Sequence, residues 1–239
     1  MMRLAINIDH IATLRNARGG KEPDPIHAAL IAEKAGAECI VCHLREDRRH
    51  IKDNDVERLR KSVTTKLDLE MAATKEIVSI AKKVKPDLAT LVPERRKELT
   101  TEGGLDVVRF KSSLSKAIKQ LHDSGIAVSL FIDAVREQVE AAREIYADMI
   151  EIHTGEYAEA RTVTKKIFHL KKIAEAAKLG KHLGMGVNAG HGLDYLNISQ
   201  IVKIKEIDEV SIGYAIIMRA LFVGLEDAVN EMKTIITRM

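Results

Sequence analysis

No apolar run in this 239-residue chain approaches the roughly 20 residues that a membrane-spanning helix needs. The N-terminus turns polar at Asn7 and Asp9, before it could supply the roughly 7–15-residue apolar stretch of a signal peptide. A soluble protein in the cytoplasm is expected. A block of one charge sign is also missing: 38 Lys and Arg face 35 Asp and Glu for a net +3. These charges are spread over mixed-sign segments, which gives nucleic-acid binding little support and leaves acidic small molecules open. Cysteine is scarce. Cys39 and Cys42 have CxxC spacing, but they lie within the apolar run Cys39-Ile40-Val41-Cys42 and not at a helix head, where a thiolate would be stabilised. They read as buried strand residues of a reducing compartment, with no redox or metal role. The G-x-G-x-x-G fingerprint of dinucleotide folds does not follow the first strand, where the chain reads Asp9-His10-Ile11-Ala12-Thr13-Leu14-Arg15-Asn16-Ala17-Arg18-Gly19-Gly20, so nicotinamide chemistry loses its usual support. Nor does any low-complexity linker or composition shift divide residues 1–239, and one domain is expected.

What is present is a repeated pattern. Short runs rich in β-branched residues alternate with longer stretches of helical apolar spacing, the signature of βα units and a parallel sheet. Eight strands are expected, at Leu4 to Asp9, Glu38 to Leu44, Lys66 to Ala72, Leu88 to Val92, Ala127 to Asp133, Met149 to His153, Met185 to Asn188 and Glu209 to Gly213. Helices are expected at Asp24 to Ala35, Asp53 to Val63, Thr74 to Lys85, Leu114 to His122, Arg136 to Tyr146 and Lys165 to His182, with a last one from Ala215 that breaks near Gly224. Asp24-Pro25 supplies a cap followed by a first-turn proline. Eight such units can close their sheet and leave no exposed edge, so the fold class expected is α/β, a (β/α)8 TIM barrel.

A barrel builds its site at the C-terminal ends of its strands, and the polar residues gather there. Strand one ends in Asn7-Ile8-Asp9-His10, strand two in His43-Leu44-Arg45, strand three in Glu70, strand five in Asp133, strand six in Glu151-Ile152-His153 and strand seven in Asn188-Ala189-Gly190-His191-Gly192. In Asn7-Ile8-Asp9 and Glu151-Ile152-His153 the polar positions are i and i+2 and share one strand face, which the barrel interior would offer. Ionisable groups collected there form either a satisfied polar network or a reaction site. Phosphate candidates are Arg18 beside Gly19-Gly20, Arg45, Arg48 and the backbone N–H groups near Gly190, Gly192 and Gly213. His27, His122, His169 and His182 fall on helices and read as surface or packing residues. The charged, Gly-ended stretch 93–104 after strand four is expected to be a lid over substrate. Residue pattern alone reaches an acid–base barrel enzyme with anion sites, and leaves open a phosphosugar isomerase or aldolase, metal-assisted chemistry and a non-catalytic binding barrel.

The strings Asn7-Ile8-Asp9-His10-Ile11-Ala12-Thr13-Leu14-Arg15, His43-Leu44-Arg45-Glu46-Asp47-Arg48-Arg49-His50 and Val187-Asn188-Ala189-Gly190-His191-Gly192-Leu193 together resemble the pyridoxine 5'-phosphate synthase family. Leu91-Val92-Pro93-Glu94, Thr100-Thr101-Glu102-Gly103-Gly104 and Ile150-Glu151-Ile152-His153-Thr154-Gly155 extend the likeness over essentially the whole chain. The resemblance implies condensation of 1-deoxy-D-xylulose 5-phosphate with 3-amino-2-oxopropyl phosphate to pyridoxine 5'-phosphate, phosphate and water, a transferase step of vitamin B6 biosynthesis. It implies no metal and no organic cofactor. By resemblance His43 and Glu70 accept protons, His191 donates one, and Glu151 stabilises a transition state. Asn7, Arg18 and Gly192 would contact the amino-ketone phosphate, Asp9, His10, Arg45, His50 and Thr100 the deoxyxylulose phosphate, and Gly213 and Tyr214 would also contact phosphate. Tyr214 stands where the family commonly carries histidine. The partners implied are small phosphorylated substrates and further copies of the chain in a homo-octamer, with neither nucleic acid nor membrane.

Overall fold

The computed structural model describes residues 2–94 and 103–237. Eight parallel strands close into one barrel in chain order: β1 Arg3–Asn7, β2 Cys39–His43, β3 Lys66–Met71, β4 Leu88–Leu91, β5 Ala127–Ile132, β6 Met149–His153, β7 Gly186–Gly190 and β8 Glu209–Ile212. Closure is completed by β1 pairing with β8, Ala5 opposite Ser211 and Ile6 opposite Ile212. The helices are α1 Asp9–Arg18, α2 Pro25–Lys34, α3 Asp53–Ser62, α4 Lys75–Val84, α5 Val107–His122, α6 Arg136–Glu144, α7 Gly155–Glu159, α8 Val163–His182, α9 Ile198–Ile201, α10 Tyr214–Val223 and α11 Leu225–Thr237. The fold is the (β/α)8 barrel that the alternating pattern predicts.

Residue chemistry explains the elements. The Asp24 side chain accepts from the Ile26 N–H at 3.1 Å with Pro25 in the first turn of α2. Asp106 and Thr162 accept from Arg109 and Lys165 N–H groups at the heads of α5 and α8. Each such cap satisfies a donor that the helix leaves open. Two expectations need correction. The first strand stops at Asn7, and Asp9 opens α1, a helix the apolar spacing does not announce. Asn7 and Asp9 are therefore not residues of one strand face. Helix α5 also starts at Val107, seven residues before the expected Leu114.

The two faces of the strands differ. Leu4, Ile6, Ile40, Cys42, Leu67, Leu69, Leu91, Leu130, Ile150, Ile152, Val187 and Val210 join the main hydrophobic core with the helices. Ala5, Cys39 and Val41 form a separate small cluster on the opposite strand face. By alternation Asp68, Glu70, Thr90, Ser129, Glu151, Asn188 and Glu209 share that inward face. The barrel thus has an apolar jacket around a polar interior. Cys39 and Cys42 lie on opposite faces of β2, both buried as free thiols, so a shared metal or a mutual disulfide is geometrically closed to them. Among the described residues no helix is long and apolar enough to cross a membrane.

Candidate active site

The polar interior opens at the C-terminal ends of the strands, where the turn after each strand aims one or two side chains inward. Asn7, the last residue of β1, donates from Nδ2 to Asp9 Oδ2 at 3.1 Å and accepts the Asp9 N–H at 2.9 Å. The backbone N–H of His43 donates to Asp9 Oδ1 at 2.8 Å, and His50 Nδ1 lies 3.9 Å from the same oxygen. Asp9 is buried and sits in the first turn of α1, where the helix dipole favours its charge. This clamp ties the ends of β1 and β2 together.

His43 stands between two carboxylates. Its Nε2 is 2.9 Å from Glu94 Oε1 and its Nδ1 is 3.7 Å from Glu70 Oε2. Burial, the charges of Glu151, Asp9 and Asp68 around it push the Glu70 carboxyl well above the ordinary carboxylate range, against a hydrogen bond from Asn7. Burial thus favours the protonated form of Glu70. Glu94 goes the other way: burial would raise it, but hydrogen bonds from His43 and the Glu46 N–H outweigh that and hold it low. Burial lowers His50, whose Nδ1 accepts the Ile51 N–H at 2.9 Å.

Across the mouth, His153 Nδ1 lies 3.1 Å from Asp133 Oδ1, and the His153 and His191 rings approach with centroids 5.0 Å apart. Phe131 packs against both rings. His191 adopts φ +78° and Gly192 φ +76°. The Thr154 hydroxyl holds this turn by sharing its one proton between the carbonyls of Gly190 and His191, at 2.8 and 2.6 Å. Burial first, and then the His153 charge, bring the His191 imidazole down to about 4, so it is neutral at pH 7.

Below the mouth, Glu151 is fully enclosed and its carboxyl is pushed up to about 8 by burial and by the charges of Asp68 and Glu209. Its Oε2 has no hydrogen-bond partner among the described residues. Gly190 makes the room: a Cβ there would sit 2.1 Å from Glu151 Oε1. The Thr90 hydroxyl lies 2.9 and 2.7 Å from the two Asp68 oxygens and shares its one proton between them, and burial still raises Asp68 to about 7. Asn188 Nδ2 donates to Glu209 Oε1 at 3.2 Å, and Arg3 Nε to Glu209 Oε2 at 3.0 Å.

Asn7, Asp9, His43, Glu70 and His191 thus fall at or just beyond the C-terminal ends of their strands, with Glu151 enclosed beneath them, Arg45 buried just after β2 and His50 beside Asp9. His10 packs edge-on against Tyr214, ring centroids 5.3 Å apart. Gly213 precedes α10, and a Cβ on it would lie 2.9 Å from Asn7 Cβ, so glycine lets the head of α10 approach β1. Tyr214 is the first residue of that helix and is exposed. Arg18 is not brought to the cluster. It is exposed at the far end of α1, about 14 Å along the axis from Asp9 at 1.5 Å per residue. Arg48 is turned outward onto Asp53 and Glu76. Thr100 and most of the proposed lid stretch lie outside the described residues. His27, His122, His169 and His182 fall on the outer helices, as expected. Sequence reasoning did not single out Glu94, Asp68 and Glu209 as functional; the i, i+2 spacing of Asp68 and Glu70 was the available signal for the inner carboxylates.

One oxygen or nitrogen each from Asp9, His43 and Glu70 lie within 4.8 Å of one another, close enough for a cation. Asp9 is already engaged by the Asn7 amide and the His43 N–H, and His43 Nε2 by Glu94. A metal would have to displace bonds that hold the mouth in shape.

Comparison with known proteins gives the arrangement its family. Residues 4–238 match the family described as pyridoxal phosphate biosynthesis protein PdxJ. The chain belongs to that family. A relative from Chlorobium phaeobacteroides, named pyridoxine 5'-phosphate synthase, is 60% identical over 235 residues, covering 98% of this chain and 100% of the relative. One of the same name from Geobacter sulfurreducens is 58% identical over 232 residues, with 97% of each covered. Among solved structures, a thiamine phosphate pyrophosphorylase from Pyrococcus furiosus superposes with a TM-score of 0.66 at 14% identity, over 99% of this chain and 96% of that one. That likeness is one of fold. The PdxJ family match covers every strand except for Arg3 at the start of β1, and all the mouth residues described above.

Proposed function

We propose that this chain is a pyridoxine 5'-phosphate synthase that condenses 1-deoxy-D-xylulose 5-phosphate with 3-amino-2-oxopropyl phosphate by acid–base chemistry. The observation that carries the reading is the placement of His43, Glu70 and His191 at the C-terminal ends of their strands, with Glu151 enclosed beneath them, in a chain 60% identical over 235 residues to a synthase of that name. Joining an amine to a ketone and expelling water requires a base for the ammonium proton and an acid for the departing oxygen, and ring closure repeats the demand. Glu151, whose carboxyl is pushed up to about 8, can supply a proton, while Glu70, which burial also pushes toward its protonated form, accepts one only after it has ionised. His43 and a neutral His191 can receive protons.

His191 acts as donor only after it has gained a proton. A substrate phosphate dianion beside it favours the imidazolium, so binding itself would charge the donor. Asn7 and Gly192 would hold the amino-ketone phosphate, with Arg18 as a further contact outside the cluster described, and the head of α10 at Gly213 and Tyr214 would also contact phosphate. Asp9, His10, Arg45, His50 and Thr100 would hold the deoxyxylulose phosphate. At Tyr214 the backbone N–H of the helix head supplies the anion contact; a Tyr214→His change is expected to leave KM within about threefold, and a large shift in KM would refute the backbone role. The protein works in the cytoplasm as a homo-octamer, burying apolar surface such as Leu221 and Phe222 of α10, which are exposed in the single chain.

The test is product formation: chelator-treated protein with both substrates, pyridoxine 5'-phosphate followed by absorbance and mass. Product at undiminished rate supports cofactor-free synthase chemistry. Activity abolished by chelation and restored by one divalent ion would favour a metal at Asp9, His43 and Glu70, and absence of product from folded protein would reject the reading.

A further inference from the structure

Glu94 lies just beyond β4, at a position where the sequence shows only one more charge in a charged stretch. Its carboxylate nevertheless points inward, with a side chain 5% exposed, and each oxygen has a separate contact. Oε2 accepts the backbone N–H of Glu46 at 3.0 Å. Oε1 faces His43 Nε2 at 2.9 Å. A carboxylate can only accept, so the nitrogen facing it must be the one that carries hydrogen. In the neutral ring the other nitrogen, Nδ1, then holds the lone pair, and it lies 3.7 Å from Glu70.

We propose that Glu94 is the positioning residue of His43: it fixes the Nε2–H tautomer and aims the Nδ1 lone pair into the barrel mouth, where it receives the substrate's proton. The division of labour resembles a buried carboxylate orienting a catalytic imidazole and stabilising the imidazolium that forms. The His43 ring cannot turn over without breaking the Glu94 contact, and its main chain is pinned separately by Asp9. Glu70 Oε2 lies 3.7 Å from Nδ1, on the side of the ring that faces the mouth. The role assigned to His43 rests on the synthase reading; the tautomer does not.

The experiment uses the full-length assembled protein with nitrogen-15-labelled histidine, and His43 assigned by its loss in His43→Gln. At neutral pH without substrate, the wild type is expected to show a protonated-type Nε2 and an unprotonated-type Nδ1. In Glu94→Gln, a nearly isosteric change, the single amide oxygen stays with the Glu46 N–H and the amide NH2 turns to His43. The ring then switches to Nδ1–H. With this switch kcat is expected to fall about 100-fold, while KM for both substrates stays within about threefold and the melting temperature stays near wild type. Glu94→Ala, which leaves Nε2 without an acceptor, is expected to average the two tautomers and to lose kcat similarly. A wild-type Nδ1–H signal, or a Glu94→Gln protein with unchanged tautomer and kcat, would overturn the proposal. Because the spectrum is recorded without substrate, a failure of the synthase reading shows as no product with the tautomer intact, and a failure of this proposal as product with the tautomer wrong.

Discussion

Glu151, Asp68 and Glu70 are carboxyls whose folded values lie above their unfolded ones, Glu151 at about 8 and Asp68 at about 7, chiefly because burial disfavours the anion. Between their unfolded and folded values the native state holds protons that the unfolded chain has released, so their contribution to stability is full at low pH and is lost as pH rises toward 8. His191 has the opposite sense. Its folded value near 4 lies below the unfolded one, so its contribution is present above the unfolded value and fades as pH falls toward 4. A Glu151→Gln protein, unable to ionise there, is expected to gain thermal stability relative to wild type at pH 8 and to gain none at pH 5. Melting curves at the two pH values check this, and an equal shift at both would mean that Glu151 does not titrate as its burial implies. At Gly190 an added methyl would meet Glu151 Oε1 at 2.1 Å, so Gly190→Ala is expected to displace the carboxyl and cut kcat by at least about tenfold. Steady-state kinetics with a folded variant measures it.

At the scale of elements, the strands and most helices were legible because their apolar periods of two and 3.6 are undisturbed. Helix α1 was not legible because one of its buried positions is filled by Arg15, whose guanidinium is satisfied by Asp55 at 2.7 and 2.8 Å. A buried ion pair removes the apolar mark that a period search needs. The first turns of α5 were hidden for the converse reason, since Val108 and Phe110 are exposed there. The i, i+2 rule placed Glu151 and His153 correctly on β6, but failed for Asp9, which reaches the site from a helix. Glu94 gave no periodic signal at all: its position is set by a turn and by two hydrogen bonds from distant residues. Helix α8 carries a testable exception to propensity. A Cβ at Gly180 would lie 2.8 Å from Ile150 Cδ1 and 2.9 Å from Val187 Cγ2. An exposed helix would gain about 1 kcal/mol from Gly→Ala; here Gly180→Ala is expected to destabilise by about 1–3 kcal/mol through overpacking. Denaturant titration decides the sign.

The whole molecule divides its two strand faces between two tasks. The outer face builds a continuous core with the helices, and the inner face is given over to Asp68, Glu70, Glu151, Asn188 and Glu209, residues that an ordinary barrel core would not tolerate without partners. That polar interior was only half visible in the sequence, because alternation shows which residues share a face but not that the face is the inside. Assembly belongs to this scale as well. Light scattering is expected to give eight times the chain mass, and Phe222→Glu on α10 is expected to reduce it; a monomer of undiminished activity would contradict the octamer. The central claim, that the mouth groups carry the chemistry, is tested most directly by single-turnover kinetics of Glu70→Gln and His191→Ala beside wild type, with both substrates bound. Rate losses of about 100-fold or more with substrate affinity within about threefold are the expected result. Variants that still turn over at the wild-type rate would place the reaction elsewhere.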